Sequence, residues 1–208
     1  MSEVKYKRKT KESKPVVAIC YDFDKTLSPD DMQAQGYIQS VGYNVDEFWK
    51  ESNARAATNE MDQNLAYMFT MKEKSEGKVL FTKEQLADYG ASVKLFPGVE
   101  QWFERIRDFG KKEGVIVEHY IISSGLKEMI EGTSVAKNGA FEKIYASSFY
   151  YNENNVAVWQ QCAHAARRFQ SVDAAHFDIE KDELIRLALF LHSSEQGLAG
   201  CETVDEHI

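Results

Sequence analysis

Two carboxylates stand two residues apart in Asp22-Phe23-Asp24-Lys25-Thr26-Leu27, directly after the apolar run Val16-Val17-Ala18-Ile19-Cys20-Tyr21. The apolar run predicts a buried β-strand. Both acids then emerge at its C-terminal end, where open α/β sheets place their ligands. Carboxylates there repel each other and are costly to desolvate, so a purely structural role gains little from the pair. A divalent cation or a phosphoryl-transfer reaction accounts for both. In that chemistry Asp22 attacks phosphorus to form an aspartyl-phosphate and also binds the cation. Asp24, sharing a direction with Asp22 in extended backbone, protonates the leaving oxygen and later takes a proton from water. Mg²⁺ suits hard oxygen donors and would offset phosphate charge against Asp22. The structural alternative is two aspartates that cap or shape the turn after the strand.

A second stretch, Tyr120-Ile121-Ile122-Ser123-Ser124-Gly125, lies much further along the chain. It closes a β-branched run, Val115 to Ile122, that predicts another strand. The Ser123 hydroxyl at its end can donate to a phosphoryl oxygen. The Ser124 and Gly125 amides, opening onto a helix, can form an anion nest. Thr26 joins Ser123, Ser124 and Gly125 as the candidate phosphate-binding set. The alternative for Ser123 is an ordinary helix N-cap.

These motifs need elements to hold them. The first strand is expected over about Pro15 to Tyr21. From Asp30 to about Leu95 the apolar spacing is helical: Tyr37, Ile38 and Val41, then Phe48 and Trp49, then Leu65, Tyr67, Met68, Phe69 and Met71. Ser75-Glu76-Gly77-Lys78 breaks this run, and Thr82 is the expected cap of the next helix. Val99, Trp102, Phe103, Ile106 and Phe109 form one apolar helical face, and Gly110 is expected to end that helix. Strand, helix, strand predicts a parallel sheet. A short helix is expected over Leu126–Ile130. Phe141–Tyr151 and Val156–Trp159, joined by Asn152-Glu153-Asn154-Asn155, read as a hairpin. Glu180–His192 has the pattern of an amphipathic helix.

Taken together, the two motifs resemble those of the haloacid dehalogenase (HAD) superfamily of hydrolases. Asp22-Phe23-Asp24-Lys25-Thr26 is similar to the first motif and Ile121-Ile122-Ser123-Ser124-Gly125 to the second. The helical insert resembles the cap of the phosphoserine-phosphatase-like branch, and the likeness runs over Pro15–Trp159. The resemblance implies an α/β fold, a Rossmann-like parallel sheet core with an inserted helical cap. Residues 15–29 and 96–192 would form the core and 30–95 the cap, with a basic flexible arm over 1–14 and a tail over 193–208. It further implies an Mg²⁺-dependent phosphatase acting on a small phosphorylated substrate. Asp22 would be the nucleophile, Asp24 the acid/base and, through its backbone carbonyl, a metal ligand, and Ser123 the phosphate-binding hydroxyl. The acid at Asp24 separates phosphatases from dehalogenases, whose leaving halide needs no proton. A phosphotransferase and a catalytically impaired phosphate- or metal-binding module are the alternatives.

The resemblance also implies a third-motif lysine and a fourth acidic motif. No Gly-Asp pair occurs in the chain, and Asp30-Asp31 is expected to cap a helix. Asp178 and Asp182 are the metal candidates, the alternative being the acidic first turn of the helix that follows. Lys127, Lys137, Lys143 and Lys181 are the lysine candidates. After Trp159 the composition turns to Ala, His, Arg and Gln, so this part is expected to depart from the family's pattern.

Bulk properties narrow the rest. The 208 residues suit one domain, and 43% hydrophobic residues suffice for a core. A net charge of −8 argues against nucleic acid as a partner, despite the basic run Lys5–Lys11. Cys20, Cys162 and Cys201 show neither metal spacing nor a disulfide framework, and the five histidines show no metal spacing. With no membrane-length apolar stretch and no signal-type run, a cytoplasmic location is expected.

Overall fold

The computed structural model describes residues 10–11 and 14–161. Asp178, Asp182, Lys181, the expected helix Glu180–His192 and the tail lie outside the described residues, as does most of the N-terminal arm. The fold is a parallel-dominated sheet in the order β1-β2-β3-β4-β5. Its centre is β2 (Lys14–Tyr21), β3 (Ile116–Leu126) and β4 (Lys143–Tyr151), all parallel. β1 (Thr10–Lys11) and β5 (Ala157–Gln161) add antiparallel edges on β2 and β4. Between β2 and β3 run a 3₁₀ turn (Met32–Ala34), α1 (Tyr37–Ser40), α2 (Val45–Thr58), α3 (Gln63–Ser75), α4 (Lys83–Ala91) and α5 (Val99–Lys112). α6 (Lys127–Gly132) and α7 (Ser134–Lys137) follow β3.

The expected α/β architecture is therefore present, and several local signals act as read. Thr82 Oγ1 accepts the Gln85 amide and starts α4. The Ser75–Lys78 break ends α3, with Gly77 at φ +70°. β4 and β5 form the hairpin, turned by Asn152, whose side chain accepts the Asn154 and Val156 amides. Tyr37, Ile38, Val41, Phe48, Met68 and Met71 are buried together, as their helical spacing requires.

Four expectations are corrected. β2 is half-buried rather than buried from Pro15 to Ile19, and Cys20 is exposed. Its pairing with β3 runs from Val16 to Tyr21, but on its other edge the described residues supply only the two of β1. Gly110 does not end α5, which continues to Lys112. A β-carbon there would collide with the Val117 side chain, so the glycine lets the helix approach the sheet. Phe109 is 61% exposed and leaves the apolar face to its neighbours. Asp31 precedes the 3₁₀ turn but makes no side-chain cap; it pairs with Lys25 instead.

The helical insert is seated on the core at several places, the Thr82–Val156 bridge and the Phe81–Phe149 ring contact among them. α4 and α6 cross at Gly90 and Gly132, where a β-carbon on either would strike the backbone of Met129 or Ala87. α3 reaches β3 through Tyr67. No helix among the described residues is long and apolar enough to cross a membrane.

Candidate active site

After Tyr21 the chain leaves the ladder and coils once around a single carbonyl. Phe23 O accepts the amides of Leu27 (2.9 Å), Ser28 (3.1 Å) and Thr26 (3.3 Å). Lys25 takes φ +60° to make this turn, a left-handed conformation that costs energy for a side chain with a β-carbon. Phe23 is fully buried and anchors the coil, while the residues on either side of it face outward to different degrees. Asp22 is exposed, and its Oδ1 accepts the Phe23 amide at 2.7 Å. Asp24 is half-buried, and its Oδ1 accepts the Met32 amide at 2.9 Å. The capping duty expected of Asp31 thus falls to Asp24. Burial pushes the Asp24 carboxyl up to about 7, with the Asp31 and Asp22 carboxylates adding to the rise and the Met32 amide and Lys25 opposing it.

The second motif arrives alongside. Tyr21 pairs with Ile121, so the end of β2 and the Ser123 region of β3 lie next to each other at the same end of the sheet. The β3–β4 register then shifts: Ile122 pairs with Tyr145 but Leu126 with Ser147, so four steps along β3 match two along β4. Ser123-Ser124-Gly125 stand opposite Ala146 alone and form this bulge, and bulges re-aim side chains next to functional sites. The strand continues to Leu126, so Ser123 is not a helix cap and the Ser124–Gly125 amides do not open α6. The Gly125 amide donates to Ser123 Oγ at 3.1 Å. Ser123 is buried and Ser124 exposed.

Gly125 shows how closely the motifs meet. A β-carbon at this position would lie 3.0 Å from Asp24 Oδ2 and would collide with the Met32 methyl group. With a glycine here the β3 backbone runs this close to the acid without displacing Met32. Asp24, Ser123 and Gly125 are therefore neighbours, with Asp22 and the exposed Thr26 on the same turn as Asp24. Among the described residues no group of three or more His, Cys, Asp or Glu is placed to hold a metal ion.

Two of the lysine candidates within the described residues have partners away from the motifs. Lys127 pairs with Glu131 at 3.5 Å, and Lys143 lies 4.9 Å over the Tyr145 ring. Lys137 sits in the last turn of α7. Arg55 and Lys72 of the insert pair with Glu73 at 2.6 Å and Glu76 at 3.3 Å. Phe69 is 41% exposed and lies beneath the Arg55 guanidinium. Sequence reasoning missed Tyr67, which it had placed among core aromatics. Its hydroxyl donates to Ser124 O at 2.7 Å. The available signal was the phenol itself, since a buried tyrosine needs a partner for its O–H.

No protein-family model matches the chain. An uncharacterized protein of Borreliella burgdorferi is 28% identical over 153 residues, covering 66% of this chain and 51% of that protein. The chain thus spans about half the length of the curated relative it matches. Among solved structures, a HAD family hydrolase from Salmonella enterica serovar Typhi is similar at a TM-score of 0.51 and 17% identity, over 78% of this chain and 52% of that one. A phosphoserine phosphohydrolase-like protein from Francisella tularensis matches at 0.50 and 17%, over 80% and 74%. A probable phosphoserine phosphatase from Vibrio cholerae matches at 0.52 and 13%, over 80% and 48%. The described part of the chain shares the α/β fold of these solved structures.

Proposed function

We propose that this chain hydrolyses a small phosphomonoester through an aspartyl-phosphate on Asp22. The observation that supports the reading is the approach of Gly125, two residues after Ser123, to Asp24 Oδ2, with the exposed Asp22 two residues before that acid. A carboxylate oxygen of Asp22 attacks phosphorus, and the bond from phosphorus to the ester oxygen breaks. Asp24 gives that oxygen its proton. Water then attacks the phosphorus of the acyl phosphate and passes a proton to Asp24, and the bond to Asp22 breaks to release inorganic phosphate. Ser123 would hold a phosphoryl oxygen throughout, with Ser124, Gly125 and Thr26 at the rim. The insert would shield the site from water and select the substrate.

The donors present fit Mg²⁺. It is commonly held by one or two carboxylates together with phosphate oxygens and waters. Asp22 would supply an exposed carboxylate and Asp24 its main-chain carbonyl. The cation would offset the charge between phosphate and Asp22. Asp178 and Asp182 remain proposals for completing the set and lie outside the described residues.

The test is phosphate release from p-nitrophenyl phosphate with Mg²⁺, with excess chelator, and with Asp22→Asn. Release that needs Mg²⁺ and is lost in Asp22→Asn supports the reading. An inactive parent protein that still binds phosphate overturns it in favour of a binding module, and transfer to an added alcohol in place of water makes it a phosphotransferase.

A further inference from the structure

The hydroxyl proposed to hold phosphate is itself held from the helical insert. Tyr67 lies on α3, is only 6% exposed, and donates to Ser124 O at 2.7 Å. α3 is a firm support for that contact. Its N-terminus is capped by Asp62, which accepts the Asn64 and Leu65 amides. Tyr37 ties Met71 and Ser75 of the same helix to α1. Lys74 pairs with Glu51 of α2 at 2.7 Å, and the Tyr67 ring meets Trp49 edge to face at 6.0 Å.

The bond fixes more than one oxygen. The 124–125 peptide is trans, so its C=O and N–H point in opposite directions. Turning Ser124 O toward α3 turns the Gly125 N–H away from it, and that N–H donates to Ser123 Oγ at 3.1 Å. Ser123 Oγ, having accepted, keeps its own hydrogen to donate. The surplus residues of the bulge have no complete ladder to hold this peptide plane, so an outside anchor matters here. Ser124 is bonded to Gly125, whose β-carbon position lies 3.0 Å from Asp24 Oδ2, so the anchor holds the stretch of β3 that borders the acid.

We infer that Tyr67 is a positioning residue for Ser123: through the Ser124–Gly125 peptide it sets the direction in which the Ser123 hydroxyl donates. This rests on the phosphatase reading for its functional meaning, but not for its geometry. It couples the insert, which would choose the substrate, to the group that would hold the phosphate. Substrates that shift α3 would change phosphate affinity without touching Ser123.

The experiment uses the full chain and the variants Tyr67→Phe, Ser123→Ala and their combination. Tyr67→Phe keeps the ring and removes the hydroxyl. In glycine-labelled protein, exchange of the Gly125 amide with solvent is expected to quicken in Tyr67→Phe. Inorganic phosphate should inhibit this variant about three- to tenfold more weakly and KM should rise similarly, the scale of one hydrogen bond, with kcat changed less. In the Ser123→Ala background the same substitution should have no further effect, because its route is gone. Unchanged Gly125 exchange overturns the inference whether or not the protein is active. Full additivity with Ser123→Ala also overturns it. An inactive parent protein that binds no phosphate instead overturns the functional reading, and the exchange result still decides the geometry.

Discussion

Asp24 and Met32 are joined by a single hydrogen bond, the Met32 amide donating to Asp24 Oδ1 at 2.9 Å, and this bond leaves Oδ2 facing Gly125. One oxygen of the carboxyl is structural and the other borders the bulge of β3. A carboxyl so divided can hold its direction while its free oxygen gains and loses a proton.

The first expectation concerns the leaving group. If Asp24 protonates the departing oxygen, its loss should matter most for poor leaving groups. For Asp24→Asn, kcat/KM toward an alkyl phosphate should fall about 10²- to 10⁴-fold, the usual worth of a general acid. The fall toward p-nitrophenyl phosphate should be much smaller, because nitrophenolate leaves without a proton. Equal losses on both substrates would remove the acid role from Asp24.

The same substitution should stabilise the fold. The folded Asp24 carboxyl is pushed up to about 7 by burial, against about 3.9 for an unfolded aspartate. A carboxyl raised on folding costs stability progressively as pH climbs between those values, and fully above the higher one. Asparagine keeps an oxygen for the Met32 amide and removes the charge. At pH 8 without Mg²⁺, Asp24→Asn should be more stable by about 1–3 kcal/mol in urea unfolding. The gain should shrink as pH falls toward 4. A less stable variant at pH 8 would contradict the burial argument.

His119 gives the opposite slope. It is fully buried, bonded to the Tyr21 hydroxyl at 2.9 Å and to Phe103 O at 3.2 Å, while Trp102 Nε1 donates to Tyr21. Burial, helped by Arg107, lowers its pKa to about 4. The unfolded ring binds its proton near pH 6.5, so the stability of the neutral, buried form is full above that value and is lost as pH falls toward 4. Asp24 masks part of this slope in the parent protein. In Asp24→Asn, stability should drop by about 2–3 kcal/mol between pH 6.5 and 4. A flat profile in that variant would mean His119 is already charged in the fold.

Gly90 tests the seat of the insert. A β-carbon added there would run into the Met129 backbone, which cannot swing aside as a side-chain tip can. Gly90→Ala should destabilise by about 1–3 kcal/mol, the cost of overpacking, despite alanine's better helix propensity. Because α6 follows the Ser123–Gly125 bulge directly, phosphate affinity should fall with it. A variant as stable as the parent would show that α4 and α6 separate easily.

What the sequence disclosed and what it hid follow the range of the forces involved. Val16–Tyr21, the Thr82 cap and the Asn152 turn are local signals, carried by side chains acting on their own backbone, and they were legible. Gly110 reads as a helix end and Gly125 as part of an anion nest, yet both stand where the backbone comes close to a distant element, which no local pattern encodes. Asp31 had the type and place of a cap, but Asp24 took the Met32 amide from across the turn. The bulge in β3 depends on the β4 register and so could not be read from β3 alone. The meeting of the two motifs was expected from their resemblance to known ones; the anchor at Tyr67, which joins neither motif, was not.

The most direct test of the central claim is the state of Asp22 during turnover. Protein mixed with Mg²⁺ and a phosphomonoester, quenched in acid and analysed by peptide mass spectrometry, should carry a phosphoryl group on the peptide containing Asp22, absent from Asp22→Asn. Steady phosphate release with no phosphoryl group on Asp22, or the same adduct in Asp22→Asn, would contradict the account.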